Sequence, residues 1–303
     1  MERCGVPREM FPANHPPGEE IGVLKREPSS ILGLPEGLPV TGGGGDQQCG
    51  ALGCGLTAQG PASINLGTSV VIEIYSDKPL IDPQLRFICR VSAIPGKYAL
   101  ESAGGGAVVL QWYKENFGNL EEVAAERYGS DPYDILAAEA ATTPPGSLGL
   151  ILIPHWIQGK GIVSGFSLTH KRKHLIRAIL EGITYEVRNA IELIEEGSKA
   201  GITELRLYGG GSRSSLWNQI FADVCGREVV KLQTEENTAL GAAILAAKAG
   251  GFFNSVSEAA RHMVRIRERF EPDKKTEETY NEFYEKRFRP ALKESSRASA
   301  IEL

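Results

Sequence analysis

Strands and helices alternate across the second half of the sequence, and this alternation leaves few architectures open to the chain. Short apolar runs at residues 205–208 and 229–232 predict strands, and each is followed by a helical pattern, at residues 214–225 and 235–249. A long amphipathic helix is predicted before them, at residues 170–196, with apolar residues at spacings of three and four. Such segments bury their apolar faces by packing helices on a sheet, so the sequence predicts an α/β fold.

The first half of the sequence predicts a β region followed by helices. Residues 63–66 and 70–75 flank a turn that contains glycine and predict a hairpin, with which residues 87–91 are expected to pair. Three helices and a buried strand are predicted beyond them, at residues 107–116, 120–128, 133–141 and 148–154. Near the end of the chain, residues 276–293 predict a charged helix packed on the domain surface.

Residues 7–39 do not resemble the start of a domain, because proline and glycine are frequent there and no long strand is indicated. A short helix around residues 28–32 is the most that this segment predicts. We therefore expect residues 1–36 to be loosely ordered or to expose apolar surface.

The charge balance and the hydropathy pattern exclude several classes of partner. Lys and Arg total 33 against 38 Asp and Glu, which gives a net charge of −5 in 303 residues and offers no broad basic face to nucleic acid. No apolar run approaches the roughly 18 residues that span a bilayer, and residues 1–4 lack the apolar stretch of a signal peptide. The sequence predicts a cytoplasmic protein with no nucleic-acid or membrane partner.

The cysteines and histidines predict neither a disulfide framework nor a metal site. The five cysteines are scattered and include no CxxC pair. His170 and His174 share a helical face, but no acidic third ligand lies near them on that face.

Glycine clusters mark the candidate functional sites, and the first of them precedes Asp46. Residues 42–45 are all glycine, so the backbone can turn sharply before this carboxylate. Asp46 could act as a general base that accepts a proton from an attacking hydroxyl. It could instead cap a helix by accepting hydrogen bonds from backbone N–H groups. The local sequence alone favours the cap over the general base.

Three further glycine segments suit anions or nucleotides. Gly67 and Thr68 offer backbone N–H groups and a hydroxyl to an anionic oxygen, although any hairpin turn can contain such residues. Residues 104–106 precede a predicted helix whose N-terminus could bind an anion. Glycine clusters of this kind are, however, more often loops that bind no ligand. Residues 209–211 could let a purine lie flat on the backbone, or they could form a tight turn with no ligand. The sequence matches neither the dinucleotide-binding pattern nor the P-loop pattern.

Taken together and in their order, these motifs resemble the FGGY family of carbohydrate kinases, which belongs to the superfamily of sugar kinases, 70-kDa heat-shock proteins and actin. The resemblance extends from about residue 38 to residue 270. The segments that carry it lie at residues 43–48, 66–69, 98–101, 161–165, 174–182, 209–212 and 238–243, with Trp112 and Trp217 between them. The resemblance implies an actin-like ATPase domain of the ribonuclease H-like type, which corresponds to the C-terminal domain of such a kinase.

The resemblance also implies roles for individual residues. Asp46 becomes the general base that deprotonates the hydroxyl of a sugar or polyol, which reverses the preference drawn from the local sequence. Gln47 would hydrogen-bond the substrate, and Gly67 and Thr68 would contact the terminal phosphates of ATP. The helix that contains residues 239–242 would pack tightly against a neighbouring helix and have no catalytic role.

The remaining implied contacts concern the nucleotide, ATP with Mg²⁺. Gly106 and Gln111 would lie along it. Gly210, Gly211 and Ser215 would frame its adenine ring. No metal ligand is implied among the residues of this chain.

The resemblance lacks one half of the family's architecture, because no Asp-x-Gly-Thr phosphate loop precedes the matching motifs. We therefore expect residues 1–60 to be a remnant of an N-terminal domain that includes the Asp46 motif, residues 61–271 to be the nucleotide-binding domain, and residues 272–303 to be a charged C-terminal helix. The predicted function is an ATP-dependent kinase for a small sugar or polyol, xylulose-like first and glycerol-like second, which is inactive alone. A separate N-terminal kinase domain would complete it, and a homo-oligomer is the other partner considered. The alternative function is a non-catalytic nucleotide-binding fragment or regulatory module.

Overall fold

A computed structural model describes residues 5–156 and 161–298 of the chain. The strands of these residues are β1 (Glu20–Val23), β2 (Pro39–Thr41), β3 (Pro61–Leu66), β4 (Val70–Ser76), β5 (Ile88–Val91), β6 (Tyr98–Gly104), β7 (Ile151–Ile153), β8 (Ile162–Ser164), β9 (Glu204–Tyr208), β10 (Glu228–Leu232) and β11 (Ile266–Phe270). The helices are α1 (Arg26–Leu32), α2 (Asp46–Gly53), α3 (Val108–Phe117), α4 (Asn119–Tyr128), α5 (Pro132–Ala141), α6 (Arg172–Ser198), α7 (Ser215–Cys225), α8 (Asn237–Ala249), α9 (Val256–Met263), α10 (Lys274–Phe283) and α11 (Arg289–Ala298).

The largest sheet has seven strands in the order β11-β10-β9-β3-β4-β6-β5. β10, β9 and β3 are parallel to one another, and the other strands join antiparallel. Because β3 and β9 are parallel neighbours, their carboxyl ends lie at one edge of the sheet, where Gly67 and Gly209 begin the turns that follow. The topology therefore brings two of the predicted glycine motifs together.

Helices cover both faces of the sheet and bury one apolar cluster on each side. Val229 of β10 belongs to the cluster under α6 and α7, whereas its neighbour Val230 belongs to the cluster under α2, α8 and α9. This division follows from the alternation of side chains along a strand. It confirms the predicted α/β architecture.

Most predicted elements are present with bounds that differ by at most two residues, among them the three helices of the first half and the long helix α6. The predicted hairpin is β3 with β4. The strand predicted at residues 148–154 is reduced to β7, because residues 146–149 all have positive φ, between 49° and 91°, and form a turn instead. The helix predicted at residues 28–32 lies within α1.

The expected pairing of residues 87–91 with the hairpin is wrong. β5 pairs with β6, and β6 is the strand that pairs with β4. The sequence did not predict β6, which carries Glu101, a residue that is only 6% exposed and lies opposite Glu73 of β4. A buried carboxyl group interrupts the apolar pattern by which strands are recognised.

The helices α2 and α8 pack so closely that glycine is required at their contact. A Cβ atom on Gly241 of α8 would lie 1.9 Å from the backbone oxygen of Cys49, and one on Gly53 of α2 would lie 1.8 Å from that of Asn237. The tight packing predicted for the helix around residues 239–242 is therefore present. It fixes α2, and with it Asp46, against the rest of the domain.

Residues 5–41 lie outside the two clusters and present apolar side chains to solvent. β1 and β2 form a separate two-stranded sheet. Ile21 and Ile31 are 49% and 78% exposed, and Val23 and Leu32 are exposed as well. The expected exposure of apolar surface is thus confirmed for the described part of residues 1–36. Residues 1–4 fall outside the described residues.

The C-terminal helices are anchored in the core by a buried polar network. A π-helical turn joins α10 to α11, and Tyr280 of α10 is fully buried. Its hydroxyl donates to Glu181 at 2.9 Å and accepts from Arg177 at 2.6 Å. Glu181 also receives bonds from Arg177, from the Ser147 hydroxyl and from the Gly146 backbone N–H. The segment predicted to pack on the surface therefore completes the core.

Candidate active site

A cavity of about 570 Å³ opens at the edge of the sheet where β3 and β9 end. Its floor is apolar and is formed by Leu66, Leu136, Ile176, Leu180 and Trp217. The indole N–H of Trp217 donates to the Leu180 carbonyl oxygen at 3.2 Å and to the Thr184 hydroxyl at 3.0 Å, so it is satisfied within the protein. A flat apolar floor of this kind suits an aromatic base.

The cavity depends on glycines at its two turns. A Cβ atom on Gly211 would lie 2.7 Å from the Trp217 ring and 2.9 Å from the Leu66 side chain. Gly209 has a φ of 82°, a conformation that L side chains rarely adopt. At the opposite turn, a Cβ on Gly106 would lie 2.0 Å from the Thr68 backbone oxygen, so Gly106 lets the start of α3 reach that turn.

Five of the residues predicted to bind ATP line this one cavity, although they come from three separate segments. They are Gly67, Thr68, Gln111, Gly210 and Gly211. Gly106 lies behind Thr68 rather than on the wall. Their roles toward a nucleotide stay predictions, but the structure brings their positions together.

Ser215 does not line the cavity, whereas the preceding residue, Ser214, does. Ser215 is exposed. Ser214 is the N-cap of α7 and accepts a hydrogen bond from the Trp217 backbone N–H at 3.3 Å. The serine that borders the cavity is therefore the helix cap, one position before the predicted residue.

A second, smaller cleft of about 230 Å³ adjoins the first cavity. The two share Gly210, Arg213 and Glu235 in their walls. Arg213 and Glu235 form an ion pair of 2.6 Å there. Nearer α2, the cleft is bounded by Asn65, Tyr208 and Thr238.

Asp46 lies beside this second cleft as the first residue of α2. Its backbone oxygen accepts a bond of 3.4 Å from the hydroxyl of Thr238, a residue of the cleft wall. Gly45 occupies the cap position, and no side-chain cap bond is formed there. The Asp46 carboxylate is exposed and accepts only the neighbouring Gln47 backbone N–H, at 2.9 Å, among the bonds of the described residues. The cap that the local sequence favoured is absent, and the carboxylate is accessible to a proton donor.

Gln47 is held from behind by the ends of the two parallel strands. Its side-chain oxygen accepts from the Tyr208 hydroxyl at 3.1 Å and from the Asn65 amide at 3.3 Å. Asn65 and Tyr208 are register partners in β3 and β9. Both residues directly precede or adjoin the glycine motifs in the sequence, but no role was predicted for either.

Two carboxyl groups lie buried beneath α2. Glu101 receives hydrogen bonds from the side chains of Gln48 and Arg90. Among the described residues, no donor lies within hydrogen-bond distance of either carboxyl oxygen of Glu73. Burial, followed by the proximity of Glu101, raises the pKa of Glu73 to about 8. Glu73 is therefore an uncharged acid at neutral pH.

Replacing Glu73 by Gln is expected to make the domain more stable at pH 8 than the wild type, by about 2 to 4 kcal/mol. The folded chain keeps the Glu73 proton up to about pH 8, whereas the unfolded chain loses it near pH 4.5. The free energy of unfolding of the wild type therefore falls as the pH rises through this interval, and the advantage of Glu73→Gln shrinks toward pH 5. Denaturant unfolding at several pH values measures it.

The matched control is Glu282→Gln. Glu282 lies on α10, and its exposed carboxylate pairs with Lys286. The free energy of unfolding of this variant should stay close to that of the wild type, with little change between pH 5 and pH 9. Equal pH profiles for wild type and Glu73→Gln would contradict the assignment of Glu73 as a neutral acid.

The described residues contain no group of three or more His, Cys, Asp and Glu side chains that could hold a metal ion. His170 and His174 are close, with ring centroids 5.6 Å apart. In the same part of the chain, no helix is both long and apolar enough to cross a membrane.

Known proteins are similar to this chain in sequence and in fold. Residues 62–250 match the model of the FGGY family of carbohydrate kinases, C-terminal domain. The autoinducer-2 kinase of Escherichia coli (strain K12) is 29% identical over 297 residues, which cover 94% of this chain and 56% of the relative. The xylulose kinase of Bacillus subtilis (strain 168) is 29% identical over 298 residues, 93% of this chain and 56% of the relative.

The crystal structure of xylulose kinase from Rhodospirillum rubrum superimposes with a TM-score of 0.81 at 29% identity, over 98% of this chain and 59% of that one. The chain thus spans little more than half the length of the proteins it matches. Its fold is the actin-like ATPase fold of these sugar kinases, as the motifs implied. The chain belongs to the FGGY family of carbohydrate kinases, whose C-terminal domain it matches over residues 62–250.

Proposed function

We propose that this chain forms the nucleotide-binding half of an ATP-dependent kinase that phosphorylates a hydroxyl of a small sugar or polyol. The observation that carries the proposal is the adjacency of the two cavities. The larger one is bordered by Thr68 and Gly211, and the smaller one lies beside Asp46. A phosphoryl donor in the first and an acceptor in the second would meet across the shared wall.

The larger cavity fits an adenine nucleotide. Its volume falls in the range of small-molecule sites, and its apolar floor would face the base. The turn at Gly67 and Thr68 would face the phosphates with backbone N–H groups and a hydroxyl. Mg²⁺ bound to the phosphates would neutralise the charge that develops in transfer; the family implies it, and the nucleotide would bring it to the site.

In the proposed reaction, Asp46 accepts the proton of the attacking hydroxyl. Its carboxylate is exposed and does not cap α2, so it is accessible to the hydroxyl whose proton it would accept. Gln47, at the next position of α2, holds the acceptor in place. Because phosphoryl transfer depends mainly on positioning and charge neutralisation, the tight contact of α2 with α8 would contribute by fixing Asp46.

For the acceptor, we propose a xylulose-like ketose first and a glycerol-like polyol second. A xylulose kinase and a gluconokinase are among the sequence relatives, the latter 32% identical over 235 residues, 74% of this chain. Most contacts that select the sugar are expected from a second domain. The exposed apolar side chains of residues 20–40 are the surface that we propose such a domain covers.

Nucleotide binding can be tested in the chain by itself. ATP with Mg²⁺ is expected to raise the melting temperature, because a ligand that binds only the folded state stabilises it. Ala137→Trp, which places an indole at the cavity wall, should abolish the shift. Ala138→Trp is the matched control, since Ala138 is exposed on the same helix α5 and should leave the shift intact. An equal shift in both variants would exclude this cavity as the nucleotide site.

Phosphoryl transfer can be tested after nucleotide binding. The chain is mixed with the part of the Bacillus subtilis xylulose kinase that lies outside its match to this chain, so that the Asp46 segment is present once, and ADP release is measured with and without D-xylulose or glycerol. Sugar-dependent ADP release supports the kinase. ATP binding without any such release favours the second candidate, a non-catalytic nucleotide-binding module, which the intact cavity would equally serve.

A further inference from the structure

The side-chain oxygen of Gln47 accepts hydrogen bonds from two residues outside α2. A carbonyl oxygen has two lone pairs. Both are engaged at Gln47, one by the Tyr208 hydroxyl at 3.1 Å and one by the Asn65 amide at 3.3 Å. Among the hydrogen bonds of the described residues, the amide –NH₂ of Gln47 makes none, so it is available as a donor to an acceptor bound nearby.

The geometry around this contact is built for close approach. Tyr208 is 6% exposed and lies in the wall of the smaller cleft. A Cβ atom on Gly50 would lie 2.5 Å from the Tyr208 hydroxyl oxygen, so the glycine allows α2 to rest on this tyrosine. Asn65 is equally close to its neighbour strand, since a Cβ on Gly209 would lie 2.7 Å from its side-chain oxygen.

We propose that Tyr208 and Asn65 are positioning residues that orient Gln47 as a hydrogen-bond donor and thereby select an acceptor that presents an oxygen lone pair, a hydroxyl or carbonyl oxygen, to α2. This inference rests on the proposed function, in which Gln47 contacts the acceptor. It adds that two residues from the sheet determine which chemistry Gln47 offers.

The same two residues connect the acceptor cleft to the nucleotide cavity. Asn65 lies two positions before Gly67, and Tyr208 directly precedes Gly209. The strands that build the nucleotide turns therefore end with the pair that orients Gln47. Both residues also border the smaller cleft, so the test must separate an effect that passes through Gln47 from a direct contact with the acceptor.

The first test is a kinetic comparison in the chain combined with the part of the Bacillus subtilis xylulose kinase that lies outside its match to this chain. Tyr208→Phe is expected to raise the KM for D-xylulose about threefold to tenfold, the size of one lost hydrogen bond, with kcat and the KM for ATP nearly unchanged. In a chain that already carries Gln47→Leu, Tyr208→Phe should cause no further rise in the KM for D-xylulose. An undiminished effect in that background would overturn the proposal, because Tyr208 would then act independently of Gln47.

Tyr75→Phe is the matched control. Tyr75 is fully buried on β4, and its hydroxyl has no hydrogen-bond partner among the residues that the structure describes. It should leave the KM for D-xylulose and the KM for ATP unchanged. A rise in the KM for D-xylulose equal to that of Tyr208→Phe would assign both effects to general loosening of the core.

The second test needs no kinase activity. The side-chain amide signals of Gln47 in a ¹⁵N-labelled sample are identified by their absence in Gln47→Leu. Asn65→Asp replaces a donor by an acceptor of the same shape, so the Gln47 amide should turn and its two proton signals should shift; Tyr208→Phe should shift them less. Unchanged signals in both variants would overturn the proposal. Shifted signals in a chain that transfers no phosphoryl group would leave the positioning intact and reject the kinase.

Discussion

Asp46→Asn is expected to lower kcat for sugar phosphorylation by about 10²- to 10⁴-fold in the reconstituted kinase. Asparagine has the shape of aspartate but does not accept the proton of the attacking hydroxyl. The KM for ATP should change little, because Asp46 lies beside the smaller cleft and is absent from the walls of the larger cavity, where we propose that the nucleotide binds. Steady-state rates of ADP release at several sugar concentrations measure both quantities.

Asp77→Asn is the control for the loss of a carboxylate. Asp77 is exposed and paired with Lys97 beyond the end of β4. It should leave kcat within about twofold of the wild type, as surface ion pairs contribute little. If Asp46→Asn also kept kcat within that limit, the general base would have to be another group.

Gly241→Ala is expected to destabilise the domain by about 3 kcal/mol or more. Alanine favours a helix over glycine by about 1 kcal/mol, so propensity alone predicts a gain. The added methyl group would, however, lie 1.9 Å from the backbone oxygen of Cys49. A backbone atom cannot move aside as a flexible side chain can, so α2 and α8 must separate. Chemical denaturation measures the loss.

The control for Gly241→Ala is the same substitution at Gly201, where an added Cβ meets nothing within 4 Å. This variant should stay within about 0.5 kcal/mol of the wild type. A Gly241→Ala protein as stable as the Gly201→Ala protein would show that the two helices have room to part.

Local patterns were sufficient where the chain obeys simple periodicity. The apolar spacing along residues 170–196 predicted α6, and the alternation of strands and helices predicted the layers on either side of the sheet. They failed at β6, because Glu101 occupies a core position that only its partner Glu73 and the strands around it explain. Strand order depends on pairing between distant segments, and no local pattern encodes it.

Some residues of the candidate site could likewise be predicted from local patterns, and others could not. Gly67 and Gly211 were predicted because glycine turns are visible in the sequence, and the family resemblance connected them to one ligand. Tyr208 and Asn65 were not predicted, since a tyrosine and an asparagine at strand ends acquire meaning only when β3 and β9 are placed side by side. Ser215 was predicted one position from the serine that caps α7.

The network of Arg177, Glu181 and Tyr280 also bears on how the chain is made. During synthesis the N-terminal part of a chain emerges first, so α6 leaves the ribosome about a hundred residues before Tyr280. Until Tyr280 arrives, the buried pair of Arg177 and Glu181 lacks the hydroxyl that bridges it, and burial of charged groups without full hydrogen bonding is costly. The complete hydrogen-bond network around Arg177 and Glu181 can therefore form only after residue 280 has been synthesised, so the final environment of α6 depends on the synthesis of α10.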